Sequence, residues 1–545
     1  MTVESAPSPR ARSLRTIFAL LAAATLTALG VQACSSDTDE QQATPSNELF
    51  GYAVDVPLET TNAGSSLGAS IDAQALSTRL YPGPFTQGPK GQWIPNRDVA
   101  EGHLLPGVQQ RAEFKINEQA KFSDGASLTC DSFLLAFRAG TMPSLFHSYM
   151  PLMNEVESVE CQPNSRSVDV VFKQGFGPRW RQIFPAGTLL PAHAIAREAG
   201  LSMEELNTAL SNQQWGMLEG VAQVWNEGYE LENFNASLQQ SLGPYKIRSV
   251  GDQGEVILER NEYYAGAQAE EPELVVWPRG SDLEQLRKDG VLRVADSTSL
   301  NDLSWLDRDD VERPVEVAAM EGVMTDSLLL SDTGVFATAE NRKAFAACID
   351  QAAVAQASEK ASGVPVTPVV TRMLRAGDPS ATQLKDITDP HLGTNIDQAK
   401  ALGGTTINIG YSGPDQRKAD MVKAIQKSCA PAGIEIVDAS KQGGTFDQLQ
   451  WVGTDGTGAY HANATLDALL LAVDPVSDFS GAAKSSADIE GLRKDEAASW
   501  DNLTTVPLAT QPRVQMYDRN VLHVVPNTNA SGVGWNMDRW STKQP

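Results

Sequence analysis

Positive charge is scarce in this chain: 43 Lys and Arg stand against 68 Asp and Glu, a formal net charge of −25 over 545 residues. Nucleic acid is therefore excluded as a partner, because phosphate binding needs clustered cations. A polybasic surface that docks on anionic lipid is excluded for the same reason. The acidity itself needs no function beyond solubility. Histidine is scarcer still. His103, His147, His193, His391, His461 and His523 are scattered, and none pairs at metal-ligand spacing. The five cysteines contain no C-x-x-C, and no Gly-rich phosphate loop with a Lys is present. The chain is accordingly expected to need no metal and no cofactor. One fragment, Gly64-Ser65-Ser66-Leu67-Gly68, matches G-x-S-x-G. A nucleophile elbow needs a strand ending directly at the Ser. Here the candidate strand stops upstream with Pro57 between, and the chain is not expected to be an enzyme.

Long apolar runs are also lacking beyond the N-terminus, where Arg10, Arg12 and Arg15 precede Ile17–Leu29. That run is shorter than the ~18 residues a membrane span requires. With its basic flank and the small residues after it, it predicts a secretory signal over 1–33. Val31-Gln32-Ala33-Cys34 looks like a lipobox, with Gln32 a poor fit and Ala33 and Cys34 good ones, so Cys34 is the expected lipidation site. Residues 34–47 are polar and predict a disordered tether. Setting Cys34 aside leaves four cysteines in an exported chain, for which disulfides are the default. Three pairings exist, and sequence proximity favours Cys130–Cys161 and Cys348–Cys429. Closing each loop is worth roughly 3–5 kcal/mol on the chain-entropy model.

The chain, with 41% hydrophobic residues, is long enough for about two to four domain-sized units. Leu49–Val56 reads as a strand and Pro57–Ser66 as a loop. Thr129 is the expected N-cap of a helix that places Phe133, Leu134 and Phe137 on one face. Pro244–Val250 and Glu255–Glu259 are strand runs, and Gly251-Asp252-Gln253-Gly254 between them is turn chemistry, predicting a hairpin. Asn341–Gln356 predicts one helix, with Phe345, Cys348, Ile349 and Ala352 as its core stripe. Strand Thr406–Gly410, helix Gln416–Ser428 and strand Gly433–Ile436 predict a βαβ unit in a partly parallel sheet.

The segment Ser241–Gly266, SLGPYKIRSVGDQGEVILERNEYYAG, resembles the G-P-Y-x-[IV]…L-x-R-N-x-x-[YW]-x-G stretch of solute-binding protein family 5, the extracytoplasmic peptide-, nickel- and sugar-binding lipoproteins of ABC importers. Lys121–Phe137 is similar to that family's F-x-D-G-x-P-L-T-A-x-D-V segment, with Ser127 in place of Pro and Ser132 in place of Asp. Asn341–Gln356 resembles its R-x-A-x-x-x-A-I-D helix. Phe184–His193 and Val224–Gly228 resemble segments of actinobacterial members. The likeness covers nearly all of the mature chain in the family's order.

What the resemblance implies is an α/β, two-lobed periplasmic-binding-protein-like fold. Lobe 1 would comprise 48–279 and 506–545, with an extra subdomain at about 80–172, and lobe 2 would comprise 280–505. A peptide or other small solute would be closed between the lobes by hinge motion and passed to a membrane ABC permease. The protein would be a monomer held to the outer face of the membrane by its lipid. Thr60, Thr61 and Asn62, after the first strand, are cleft candidates. So are Trp225 and Asn226 in lobe 1 and Trp451 in lobe 2; each Trp has an equal claim to be core. Asp474 falls where peptide-binding members carry the Asp that pairs with the ligand amine, although Ala472-Val473 replaces their Gly-Trp. Asp474 is equally an N-cap before Pro475. A second role implied by some actinobacterial relatives is regulation of envelope glycolipid assembly, without import.

Overall fold

The computed structural model describes residues 49–542 except 450, 453–458, 461–463 and 480–487, and gives only the backbone of 451, 452, 459 and 460. The signal, Cys34 and the tether lie outside the described residues. No helix among the described residues is long and apolar enough to cross a membrane.

The strands, in chain order, begin with β1 (Gly51–Val54) and a short hairpin of β2 (Phe85–Gln87) and β3 (Trp93–Pro95). β4 (Ala100–Leu105), β5 (Arg111–Ile116), β6 (Val156–Glu160) and β7 (Ser167–Phe172) follow. Then come β8 (Tyr245–Val250), β9 (Val256–Arg260), β10 (Glu273–Trp277), β11 (Leu292–Ser297), β12 (Val315–Leu330), β13 (Thr406–Gly410) and β14 (Glu435–Asp438). The series closes with β15 (Trp451–Val452), β16 (Ala459–Tyr460), β17 (Ala468–Val473) and β18 (Thr505–Asp518). Ten of them form one mixed sheet in the order β14-β13-β17-β12-β18-β11-β1-β10-β9-β8.

The hairpin read from the turn residues is β8–β9. Gly254 sits at φ +79°, a conformation glycine adopts without a Cβ penalty, and Tyr245 and Ile247 bury on one face. β13 and β14 pair in parallel, joined by the helix Gln416–Cys429, whose Met421, Val422 and Ile425 are fully buried. The βαβ unit thus forms as its apolar spacing dictates. β4-β5-β7-β6 make a separate antiparallel sheet within the span expected to be an extra subdomain. The helix Cys130–Thr141 covers it, and its first residue is bonded to Cys161 at the end of β6.

Three expectations are corrected. Asn341–Gln356 is not one helix. It is two, Ala339–Ala346 and Gln351–Ser362, because the Asp350 side chain accepts the Ala353 N–H and starts a new N-terminus. The break rephases the stripe: Phe345, Cys348 and Ile349 are buried, but Ala352 is exposed, and Val354 and Ala355 take the core positions. Thr129 is the N-cap residue as expected, but its hydroxyl donates to Asp131 and accepts no helix N–H.

The third correction concerns the boundary expected near 280. Beyond it, β11 pairs in parallel with β1, and Leu292, Ala295 and Val315 pack with Ala53 in one cluster. That segment therefore stays with the first lobe. The chain crosses between lobes on β12 and β18, the two longest strands, which pair antiparallel with a register shift between Glu321 and Thr325. Gly322 permits this crossing: a Cβ there would lie 2.6 Å from the Gln511 carbonyl oxygen. On the second-lobe side, Leu328, Leu330, Val506 and Leu508 enter a core with Ile407, Ile409, Ile425 and the Cys348–Cys429 bridge.

Candidate ligand site between the two lobes

The site lies beyond the carboxyl ends of β1 and β17, where open α/β sheets usually place ligands. From the first lobe come the loop after β1 and two short helices, Ser66–Ser70 and Gln74–Ser77. From the second comes Asp474, the residue after β17 and N-cap of the short helix Pro475–Asp478. The lobes touch. Tyr149 stacks on Phe446 with ring centroids 3.8 Å apart, and the Phe446 N–H donates to Ser70 Oγ at 2.9 Å. Between them is a cavity of about 130 Å³, walled by Ala69, Asp72, Phe85 and Gln87 on one side and Leu471, Asp474 and Asp478 on the other.

Asp474 is the hub. Arg375 grips its carboxylate with two bonds, Nε to Oδ1 at 2.9 Å and Nη2 to Oδ2 at 2.5 Å, and Gln87 Nε2 donates to Oδ2 at 2.9 Å across the cleft. It also accepts from the Val476 N–H as N-cap. Both readings of Asp474 therefore meet in one residue: it borders the cavity, and it caps a helix. Its charge, however, is already answered by a bidentate guanidinium. Two further carboxyls border the same cavity. Burial raises the Asp72 carboxyl above its ordinary pKa, and the cations Lys418, Arg513 and Arg279 oppose that shift only in part. Burial, reinforced by the negative charge of Asp474, pushes Asp478 up to about 8. Asp478 therefore holds its proton at neutral pH.

The other expected residues stand elsewhere. Thr60 and Asn62 are buried and structural. Thr60 Oγ1 donates to the Tyr229 carbonyl, and Asn62 bonds the Trp225 carbonyl at 2.7 Å and the Gly64 N–H at 3.0 Å. Thr61 donates to Gln239. The Asn62 bond pins the loop to the helix Trp215–Glu227 and the Thr60 and Thr61 bonds pin it to Tyr229 and Gln239 beyond that helix, so the loop reaches the cavity through Ala63 to Thr78 instead. Trp225 is corrected to a core residue. It is fully buried on the inward face of that helix, edge-on to Phe146 with centroids 5.6 Å apart. Asn226 is half-buried and does not border the cavity. The Trp451 side chain lies outside the described residues. Asp72, Gln87, Arg375 and Asp478 were not read from the sequence. For Asp478 a signal existed, a second acid one helical turn after Asp474; for the others none did. Ser66, in the G-x-S-x-G fragment, begins a helix whose cap is Ser65, with no strand running into it. A metal reading of Cys130, Asp131 and Cys161 fails because the two sulfurs are bonded to each other.

Residues 108–457 match the family described as bacterial extracellular solute-binding proteins, family 5 Middle. The chain belongs to this family. Among its relatives, an uncharacterized lipoprotein of Mycobacterium tuberculosis (strain H37Rv) is 29% identical over 563 residues, covering 96% of each chain. One of Mycobacterium leprae is 27% identical, covering 96% of this chain and 97% of the other. Solved structures share the two-lobed fold. The periplasmic EDTA-binding protein EppA has a TM-score of 0.62 at 18% identity, over 91% of this chain and 96% of its own. The oligopeptide-binding protein AppA from Bacillus subtilis, in complex with a nonapeptide, has a TM-score of 0.61 at 13% identity, over 91% of this chain and all of its own. Here the two halves of the sheet are joined by the crossing strands β12 and β18. In this family 5 protein the closure contacts are explicit. Gln87→Ala is expected to remove a bond to a charged acceptor, about 1.5–3 kcal/mol, and to shift the lobes toward separation. Small-angle scattering would register a larger radius of gyration. An unchanged radius would show that the Tyr149–Phe446 stack suffices to hold closure.

Proposed function

We propose that this chain is the substrate-binding lipoprotein of an ABC importer, which receives a small solute or short peptide between its lobes and hands it to a membrane permease. The observation that carries the reading is the partly open inter-lobe cavity with polar groups from both sides, in a chain of the extracellular solute-binding family. Binding of this kind needs only differential affinity for the closed state. The cavity, of about 130 Å³, has room for a small solute, and an extended peptide would need wider lobes. Mass spectrometry of solute released by denaturing the purified protein tests the reading. One compact species at near-stoichiometric yield is expected; an empty protein that binds none of the amines, carboxylates or short peptides offered would overturn it.

Attachment through Cys34 supports the same role, because a receptor must stay near its permease. Relatives in two mycobacteria are themselves named lipoproteins. Cys34→Ala should leave the chain unprocessed or shed it from the membrane fraction, since one thioether-linked diacylglycerol plus an N-acyl chain supplies the anchor. A variant processed and membrane-bound like the wild type would refute the lipid anchor.

A further inference from the structure

We propose that the solute of this cavity is a compact organic cation, held by its charged group between Asp72 of the first lobe and Asp478 of the second. The inference rests on the solute-binding reading and narrows it. Both carboxyls border the cavity, from opposite sides of the cleft. The half-buried Asp72 carboxylate accepts no hydrogen bond and joins no ion pair among the described residues. Asp478 accepts a single bond, from the Asp474 N–H. Asp478, like Asp72, is half-buried, and two carboxyls with accepting capacity to spare on one cavity leave room for a donor group between them.

The neighbours decide the sign of that group. Asp72 is faced by Lys418, Arg513, Arg279 and Asp326. Arg513 is engaged with Asp296 and Arg279 with Asp55, while Lys418 acts only at a distance beyond hydrogen bonding. Asp478 is faced by Asp474 and Asp72, both acidic. Asp474 is neutralised by Arg375, so the family's usual amine anchor is closed and the two unanswered acids take its place. The rest of the wall is apolar: Ala69, Ala73, Phe85, Met324 and Leu471. A bare Ca²⁺ would want six to eight oxygens. An alkylammonium wants a carboxylate at its head and apolar wall along its body, which the cavity provides. Asp478 gives the binding a signature. Protonated at neutral pH, it must release its proton to the solvent when the cation arrives, so affinity should rise with pH up to about 8 and then level.

The test uses the full chain in detergent and three probes of one skeleton: n-butylammonium, butyramide and butyrate. Calorimetry at matched ionic strength is expected to show butylammonium binding at least tenfold tighter than the other two. Repeated at pH 7 in buffers of different ionisation enthalpy, it should show proton release of up to about one per site. Asp72→Asn and Asp478→Asn should each weaken butylammonium at least tenfold without lowering the melting temperature, and the second should abolish the release. Equal or tighter binding of butyramide or butyrate overturns the inference and leaves the solute-binding reading intact. Absence of binding by all three also overturns the inference, and the released solute then decides whether the broader reading stands.

Discussion

The double variant Cys348→Ala/Cys429→Ala is expected to lose about 4 kcal/mol of stability. The two sulfurs close a loop of 81 residues, for which the chain-entropy model gives ~4.5 kcal/mol. Both residues are fully buried in the second-lobe core, and two alanines fill less of it than the bridge. The bridge ties the segment after the helix Ala339–Ala346 to the last residue of Gln416–Cys429. It thereby clamps the broken helix pair onto the βαβ unit that carries β13 and β14. Differential scanning calorimetry of wild type and variant would read the loss as a lower second-lobe transition. Because both thiols are removed, mispairing with Cys130 or Cys161 does not confuse the result. An unmoved transition would mean that packing alone fixes this core.

Arg417→Met is the second large effect expected, a loss of about 3–5 kcal/mol. Arg417 and Asp326 form an ion pair whose side chains are 3% and 0% exposed, and Arg417 Nη1 also donates to Ser358 Oγ at 3.1 Å. Burial opposes the charge on Arg417, but Asp326 and Asp415 more than compensate, and its pKa is raised. Met matches the stem of Arg and leaves Asp326 alone in the interior, which is the costly half of such a pair. The pair joins the helix Gln416–Cys429 to β12 just past the crossing at Gly322. Its loss should therefore loosen the second lobe where closure pivots. Urea unfolding gives the magnitude. The double variant Arg417→Met/Asp326→Leu should recover most of the loss, because no charge is then stranded. A double variant as unstable as the single one would show that the arginine acts through packing.

Elements whose cause is local were legible in the sequence. The β8–β9 hairpin follows from its turn residues, β13 falls where its β-branched run ends, and Met421, Val422 and Ile425 bury as their spacing requires. The family's segments led to the two-lobed fold. Asp474 was singled out by its match to the Asp of the family's peptide-binding members, and it borders the cavity. The split at Asp350 was not read, because an Asp inside a helical pattern caps or continues according to which backbone N–H it meets.

What the sequence by itself determined is the acidity, the cysteine count, the local strands and helices, and the family. Each depends on residues near one another in the chain. What only the tertiary structure decided is the site. Asp72 and Asp478 are separated by hundreds of residues, and their chemistry comes from bordering one cavity, Asp72 with no side-chain partner and Asp478 with only the Asp474 N–H. Trp225 and Asn62 went to the core because helix Trp215–Glu227 turns that face inward and its carbonyl needs a donor. Arg375 took the charge of Asp474 from 99 residues away. Sequence fixes how each segment prefers to fold, but the sign and size of a binding cavity depend on which groups remain unsatisfied after every other pair has formed.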